Sequence, residues 1–180
     1  MGYTHYFPRR PTLPKRNFED WAADALLIVE SCGFPIFGPE GTNGPEINVN
    51  RVAFNGEASL DEDHEAFWID RVYVPNCWDE KKKGRYFDFC KTDRKPYDLA
   101  VTACLIRMTH HQLDRACTVS SDGNSNDWAP GLALVVRLFG DGALPRDVRR
   151  VPAPPVAPVV APTAASVFAR PRPRARTVVD

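Results

Sequence analysis

The stretch RYFDFCKTDRKPYD, residues 85–98, decides how the rest of the chain is read. Its first six residues are rich in aromatics, which suits a short strand. Pro96 follows a polar run and stands where a helix opens, because a first-turn residue has no use for the N–H that proline lacks. The helix then runs through Leu99, Val101, Thr102, Leu105, Ile106 and Met108 to the pair His110 and His111. With 85–90 as a strand, the chain is an α+β domain of order β-α-β-β-β-α-β-α, one mixed five-stranded sheet with helices packed on it. With 85–90 as a loop, the order becomes βαββαβ, a ferredoxin-like core.

On the N-terminal side, 66–74 is the strongest strand in the chain. Its expected partner in an antiparallel hairpin is 47–54, an alternating segment ended by Asn55 and Gly56. The acidic turn Asp61, Glu62, Asp63, His64, Glu65 joins the two. Residues 33–45 are rich in Gly and Pro and read as loop. Before them lies a helix with Asn17 as N-cap and Glu19 and Asp20 in its first turn. Its apolar stripe is Phe18, Trp21, Ala22, Ala25, Ile28, Val29 and Cys32, with Gly33 closing it. Residues 2–7 form a β-prone start in which Tyr3, His5 and Phe7 share a face. On the C-terminal side, 116–119 is a short strand ending in Ser120, Ser121, Asp122 and Gly123. A helix from near Ser125 to Phe139 follows, capped by Gly140. Residues 75–84 are an insertion with the charged tip Lys81, Lys82, Lys83. Trp21, Trp68 and Trp128 are core candidates, and Trp78 in the insertion is not.

The formal net charge of zero conceals an asymmetry. From Pro145 onward there are seven arginines against two aspartates, so this segment carries five excess positive charges and the remainder five negative. Its apolar residues are nearly all Ala, Val and Pro, too small to offset the entropy of ordering a chain. The expected organisation is therefore a domain over 1–144 and a disordered tail over 145–180. Such a tail suits a protein or nucleic-acid partner, or a localisation role, or simple solubilisation. The five cysteines form no CxxC pair and follow no apolar leader, so reduced thiols in a cytoplasmic or nuclear setting are expected, not secretion. No apolar run has the length of a membrane span, so no membrane partner is expected. There is no Gly-rich phosphate cradle, so no cofactor is expected either. Oligomeric state is not legible.

MGYTHY at 1–6, FDFCKTDRKPYDLAV at 87–101 and VSSDG at 119–123 together resemble a family of small bacterial, phage and fungal proteins that open with this hexapeptide. The resemblance covers most of residues 1–140 and not the tail. It implies no activity and so hands over no catalytic residue. The insertion at 75–84 departs from the family's shorter form.

The sequence names no reaction. Strand–helix–strand units normally cross over to a parallel strand. On that rule Arg9 and Arg10, the acidic turn, residues 90–95 and Ser120–Gly123 all fall along one edge of the sheet. Ligands of α/β sheets favour the crevice beyond the carboxyl ends of strands. The expectation is a non-catalytic binding protein for a small phosphorylated or carboxylated molecule held by Lys91, Thr92, Arg94, Lys95, Ser120, Ser121 and Asp122. An enzyme using the same crevice, with Asp93, Asp98 or Asp122 as acid or base, is the alternative; a protein acting through its tail is another. His5 falls at the wrong end for a Ser/His pair in this topology, and His110 and His111 lie at the far end of their helix. The acidic turn lacks the spaced ligands of a calcium loop, and the Cys and His spacing fits no zinc site, so no metal is expected.

Overall fold

The computed structural model describes residues 2–77 and 79–151. In chain order its elements are β1 (Thr4–Tyr6), α1 (Lys15–Glu30), β2 (Glu46–Asn48), β3 (Arg51–Phe54), β4 (Phe67–Asp70), β5 (Lys81–Lys82), β6 (Arg85–Tyr86), β7 (Phe89–Lys91), α2 (Asp98–His110), β8 (Ser120–Ser121) and α3 (Ala129–Phe139). The class is α+β. The expected mixed five-stranded sheet is replaced by small antiparallel ones: β7-β1-β8, β2-β3-β4 and the hairpin β5-β6. The ferredoxin-like alternative does not occur either.

The physical reason lies in the connection after α1. The crossover rule binds strands of one sheet. Here the long loop 31–45 lets the chain leave β1's neighbourhood, and β2 starts a second sheet. β1 then pairs with partners much later in sequence. Thr4 faces Lys91 and Tyr6 faces Phe89 on one side, while His5 faces Ser121 and Tyr6 faces Ser120 on the other. Both ladders are antiparallel, so β7 and β8 run parallel to each other with β1 between them and α2 as their crossover. The stretches 1–6, 87–101 and 119–123 thus each supply one strand of this sheet. Pairing continues past β1 through bridges from Arg9 to Tyr86 and to Cys117. Residues 85–90 therefore behave as extended strand.

In the second sheet the segment 47–54 is not one strand. It folds back at Val49 and Asn50, where Asn48 Oδ1 accepts the Asn50 N–H at 2.9 Å, and only β3 pairs with β4. Short polar side chains that bond their own backbone favour such turns. α1 begins at Lys15, directly after Pro14, so Asn17 is not its cap; the Asn17 amide donates to His111 O at 2.8 Å instead. α3 begins at Ala129, with Pro130 in its first turn, and Gly140 closes it at φ +81°.

One contiguous apolar cluster runs from Phe7 to Val148 and includes the α1 stripe, most of α2, and Trp21 and Trp128. Trp21 also donates its indole N–H to Cys104 O at 2.8 Å. Trp68 is not in the core: it is 37 % exposed, with Arg51 stacked 4.0 Å over its ring. Gly131 lets α3 approach α2 closely; a methyl there would sit 2.9 Å from Thr102 Cβ. The segment assigned to a tail begins as part of the fold. Val148 is buried, Arg149 bridges to Asn124, and the Val151 N–H reaches Ser125 Oγ at 2.9 Å. The remainder of the expected tail, from Pro152 on, and Trp78 lie outside the described residues. No described helix is long and apolar enough to cross a membrane. Burial pushes the thiols of Cys90 and Cys104 well above their ordinary range and that of Cys32 up to about 11, so all three are protonated near neutral pH.

Candidate functional site

The antiparallel setting of β1 brings its N-terminal end to the carboxyl ends of β7 and β8. Residues 90–95 and Ser120–Gly123 do meet there, on either side of β1. Arg9 and Arg10 lie at the opposite end of the sheet. His5, expected at the wrong end, lies at this one. Its Nε2 is 2.7 Å from Asp98 Oδ1, and Thr92 Oγ1 donates to the same oxygen at 2.6 Å. A carboxylate only accepts, so the imidazole donates from Nε2. His5 is wholly buried, with its ring edge-on to Tyr3 and to Trp128.

The polar groups of this crevice are largely engaged by the protein itself. The N–H groups of Thr92 and Asp93 both reach Tyr3 O, which turns the chain sharply through Asp93 and Arg94 at positive φ. Arg94 pairs with Asp127 at 2.6 Å and lies 4.1 Å over the Tyr3 ring. Burial works against ionisation of Asp127, yet Arg94 and the Asn124 N–H hold its carboxyl below the usual range. Lys95 is bound by Asp61, and the Lys91 N–H donates to Glu65 at 2.9 Å. Asp122 accepts from the Thr4 N–H at 3.1 Å and from Tyr6 OH at 3.2 Å. Ser121 Oγ accepts the Gly123 N–H. At the start of α2, the N–H groups of Asp98, Leu99 and Ala100 already bond Lys95, Pro96 and Tyr97 carbonyls. The dipole of the helix remains, but the free donors that usually hold an anion there are taken. The crevice is a joint that locks β1, β7, α2 and β8 together.

Cations without a carboxylate partner among the described residues gather at the other end of the sheet. Successive residues of a strand face opposite sides, so Tyr6, Pro8 and Arg10 share the outer face. The register of β1 with β7 and the Arg9–Tyr86 bridge set Phe89, Phe87 and Arg85 beside them in turn. Arg85 donates to the carbonyls of Pro8, Ala116 and Arg115 and has no carboxylate partner among the described residues. Arg10 and Arg115 also have no carboxylate partner among the described residues. These two line a pocket of about 300 Å³ with Thr12, Pro14, Asn17, Gln112 and Ala116. Pro14 and Asn17 belong to the start of α1, which has no side-chain cap. Its first N–H groups and its dipole add to the positive potential there.

A second hollow of about 800 Å³ opens on the same outer face. It runs between Pro8, Phe87, Phe89 and Thr118 on the sheet and Asp79, Glu80, Lys82 and Lys83 of the insertion, with Tyr73, Arg85 and Asp88 completing its wall. Beneath it, on the inner face, Arg9 is buried. It pairs with Asp88 at 3.0 Å, donates to Asp70 O and lies 5.0 Å over Tyr73. Burial pushes Asp88 up to about 7 against the pull of Arg9. Sequence reading passed over Arg10, Arg115 and Phe87 as site residues. Among the described residues no cluster of His, Cys, Asp or Glu is arranged to hold a metal.

No family model, curated protein or solved structure matches the chain.

Proposed function

We propose that the chain is a non-catalytic binding protein for a small anionic ligand, and that the anion sits in the pocket of Arg10 and Arg115. One observation carries this reading: two arginines without carboxylate partners among the described residues line a concave site at an uncapped helix start, with Arg85 beside them. Guanidinium forks match the oxygens of phosphate and carboxylate. Thr12, Asn17 and Gln112 supply neutral polar groups around them. The crevice at Lys91–Lys95 is the weaker place for the ligand, because Arg94 and Lys95 are already neutralised by Asp127 and Asp61.

The test is thermal unfolding of the full chain with inorganic phosphate against chloride at matched ionic strength. A ligand that binds only the folded state raises the melting temperature. The expected result is a rise that is lost in the double variant Arg10→Ala, Arg115→Ala and kept in Arg94→Ala. A rise lost in Arg94→Ala instead returns the site to the crevice. No rise with phosphate, pyrophosphate or carboxylates rejects the reading.

A further inference from the structure

We infer that the ligand is an anion with a flat apolar body, whose body lies across Phe87 and Phe89 while its head meets the arginines. This rests on the reading of Arg10 and Arg115 as the anion site. The sheet β7-β1-β8 sends His5, Phe7 and Arg9 inward, and no described helix covers its outer face. That face is ordered by chemistry along the strands. One row is aromatic, Tyr6 beside Phe89. The next is Pro8 beside Phe87, and the one after is Arg10 beside Arg85. Phe87 and Phe89 are 59 % and 43 % exposed, and their ring centroids are 5.3 Å apart. Adjacent rows lie about 7 Å apart, two residues of strand rise. One small molecule therefore reaches from the aromatic rows to the cationic row without bending.

Arg85 is the element shared by both parts. Its guanidinium is held by the Ala116 and Arg115 carbonyls at the edge of the anion pocket, and its side chain lines the 800 Å³ hollow. Held by main-chain oxygens, it points its charge at the junction of head and body. Aromatic faces pair favourably with a flat ring in offset or edge-on contact. The hollow is large enough for such a ring, and its polar wall combines Asp79, Glu80, Lys82, Lys83 and Asp88, with Lys82 paired to Glu80 at 3.7 Å, so the charge that draws the head comes from the arginine row and not from this wall.

The experiment compares inorganic phosphate with phenyl phosphate by calorimetric titration of the full chain, and follows sedimentation in parallel. The expected result is binding of phenyl phosphate about tenfold tighter than inorganic phosphate, the value of one aromatic contact. Phe87→Ala should erase that difference and leave phosphate itself unchanged; its side chain is exposed, so folding is not at stake. Arg10→Ala with Arg115→Ala should weaken both ligands. Equal affinity for the two ligands overturns this inference and leaves the arginine pocket standing. Binding of neither overturns both. A sedimentation shift from dimer to monomer in Phe87→Ala overturns it as well, because the aromatic rows are then a contact between two copies of the chain.

Discussion

The His5 imidazole and the Asp98 carboxylate meet at 2.7 Å across 93 residues of sequence, and the Thr92 hydroxyl completes the contact on the same oxygen. This pair fastens β1 to the start of α2. Truncating one partner of a buried, hydrogen-bonded pair leaves the other unsatisfied. His5→Ala should lower the unfolding free energy by about 3 kcal/mol in urea titration. Asp98→Asn should cost less, since an amide oxygen still accepts. A loss below about 0.5 kcal/mol for His5→Ala, the range of ordinary surface changes, would show that the joint is held by packing alone.

Asp24 accepts Arg107 Nε and His111 Nε2 on a single carboxylate oxygen, at 2.7 and 2.6 Å. Arg107 is nearly buried, and its other acid, Asp141, is 3.8 Å away. Asp24→Ala strands the guanidinium and should destabilise the fold by about 3–5 kcal/mol. Asp141→Ala, at an exposed site, should cost under about 1 kcal/mol. Thermal unfolding of the two variants side by side checks the contrast.

Asp88 gives the fold a pH dependence of definite sign. Its carboxyl titrates near 7 in the folded protein, where burial outweighs Arg9, against 3.8 for the free side chain. Between these values the folded chain holds a proton that the unfolded chain has lost. By linkage, this group's contribution is greatest at low pH and is lost as pH rises toward about 7. The slope from one carboxyl is at most about 1.4 kcal/mol per pH unit. Asp88→Asn should flatten that part of the curve in urea unfolding across this range. A variant that keeps the full slope would assign it to other groups.

Gly131→Ala tests the α2–α3 contact. In an open helix the change would add about 1 kcal/mol of helix preference. Here the new methyl would lie 2.9 Å from Thr102 Cβ and 3.0 Å from Ala103 N. Overpacking of this kind typically costs about 1–3 kcal/mol, so the melting temperature should fall. A rise would mean that the two helices separate without cost.

Periodicity and punctuation exposed the local elements. The α1 stripe from Phe18 to Val29, the pairing of β3 with β4, the strand character of 85–90 and the Gly140 stop were all legible, because each follows from residues close in sequence. The partners of β1 were not. Tyr3, His5 and Phe7 marked a buried face, but nothing in them says whether the neighbour lies at 47 or at 89. The wrong neighbour also turned β1 around, and so removed His5 from Asp98 and placed Arg10 at the wrong end. The candidate site was illegible for the same reason. Arg10, Phe87 and Arg115 are unremarkable where they stand in the chain and become a row only once the register is known. Arg94 and Lys95 looked free because Asp127 and Asp61 are each about 33 residues away.

The position of β1 also sets an order of events in synthesis. It leaves the ribosome before its partners, since it donates its Thr4 N–H to Asp122, 118 residues later. At about 5–20 residues per second, the strand waits on the order of ten seconds for its last partner to emerge. Helix α1 and the β3–β4 hairpin need only nearby contacts and can form meanwhile. Closing the sheet around β1 is then the slow, non-local step, and β1 is an exposed edge until it happens.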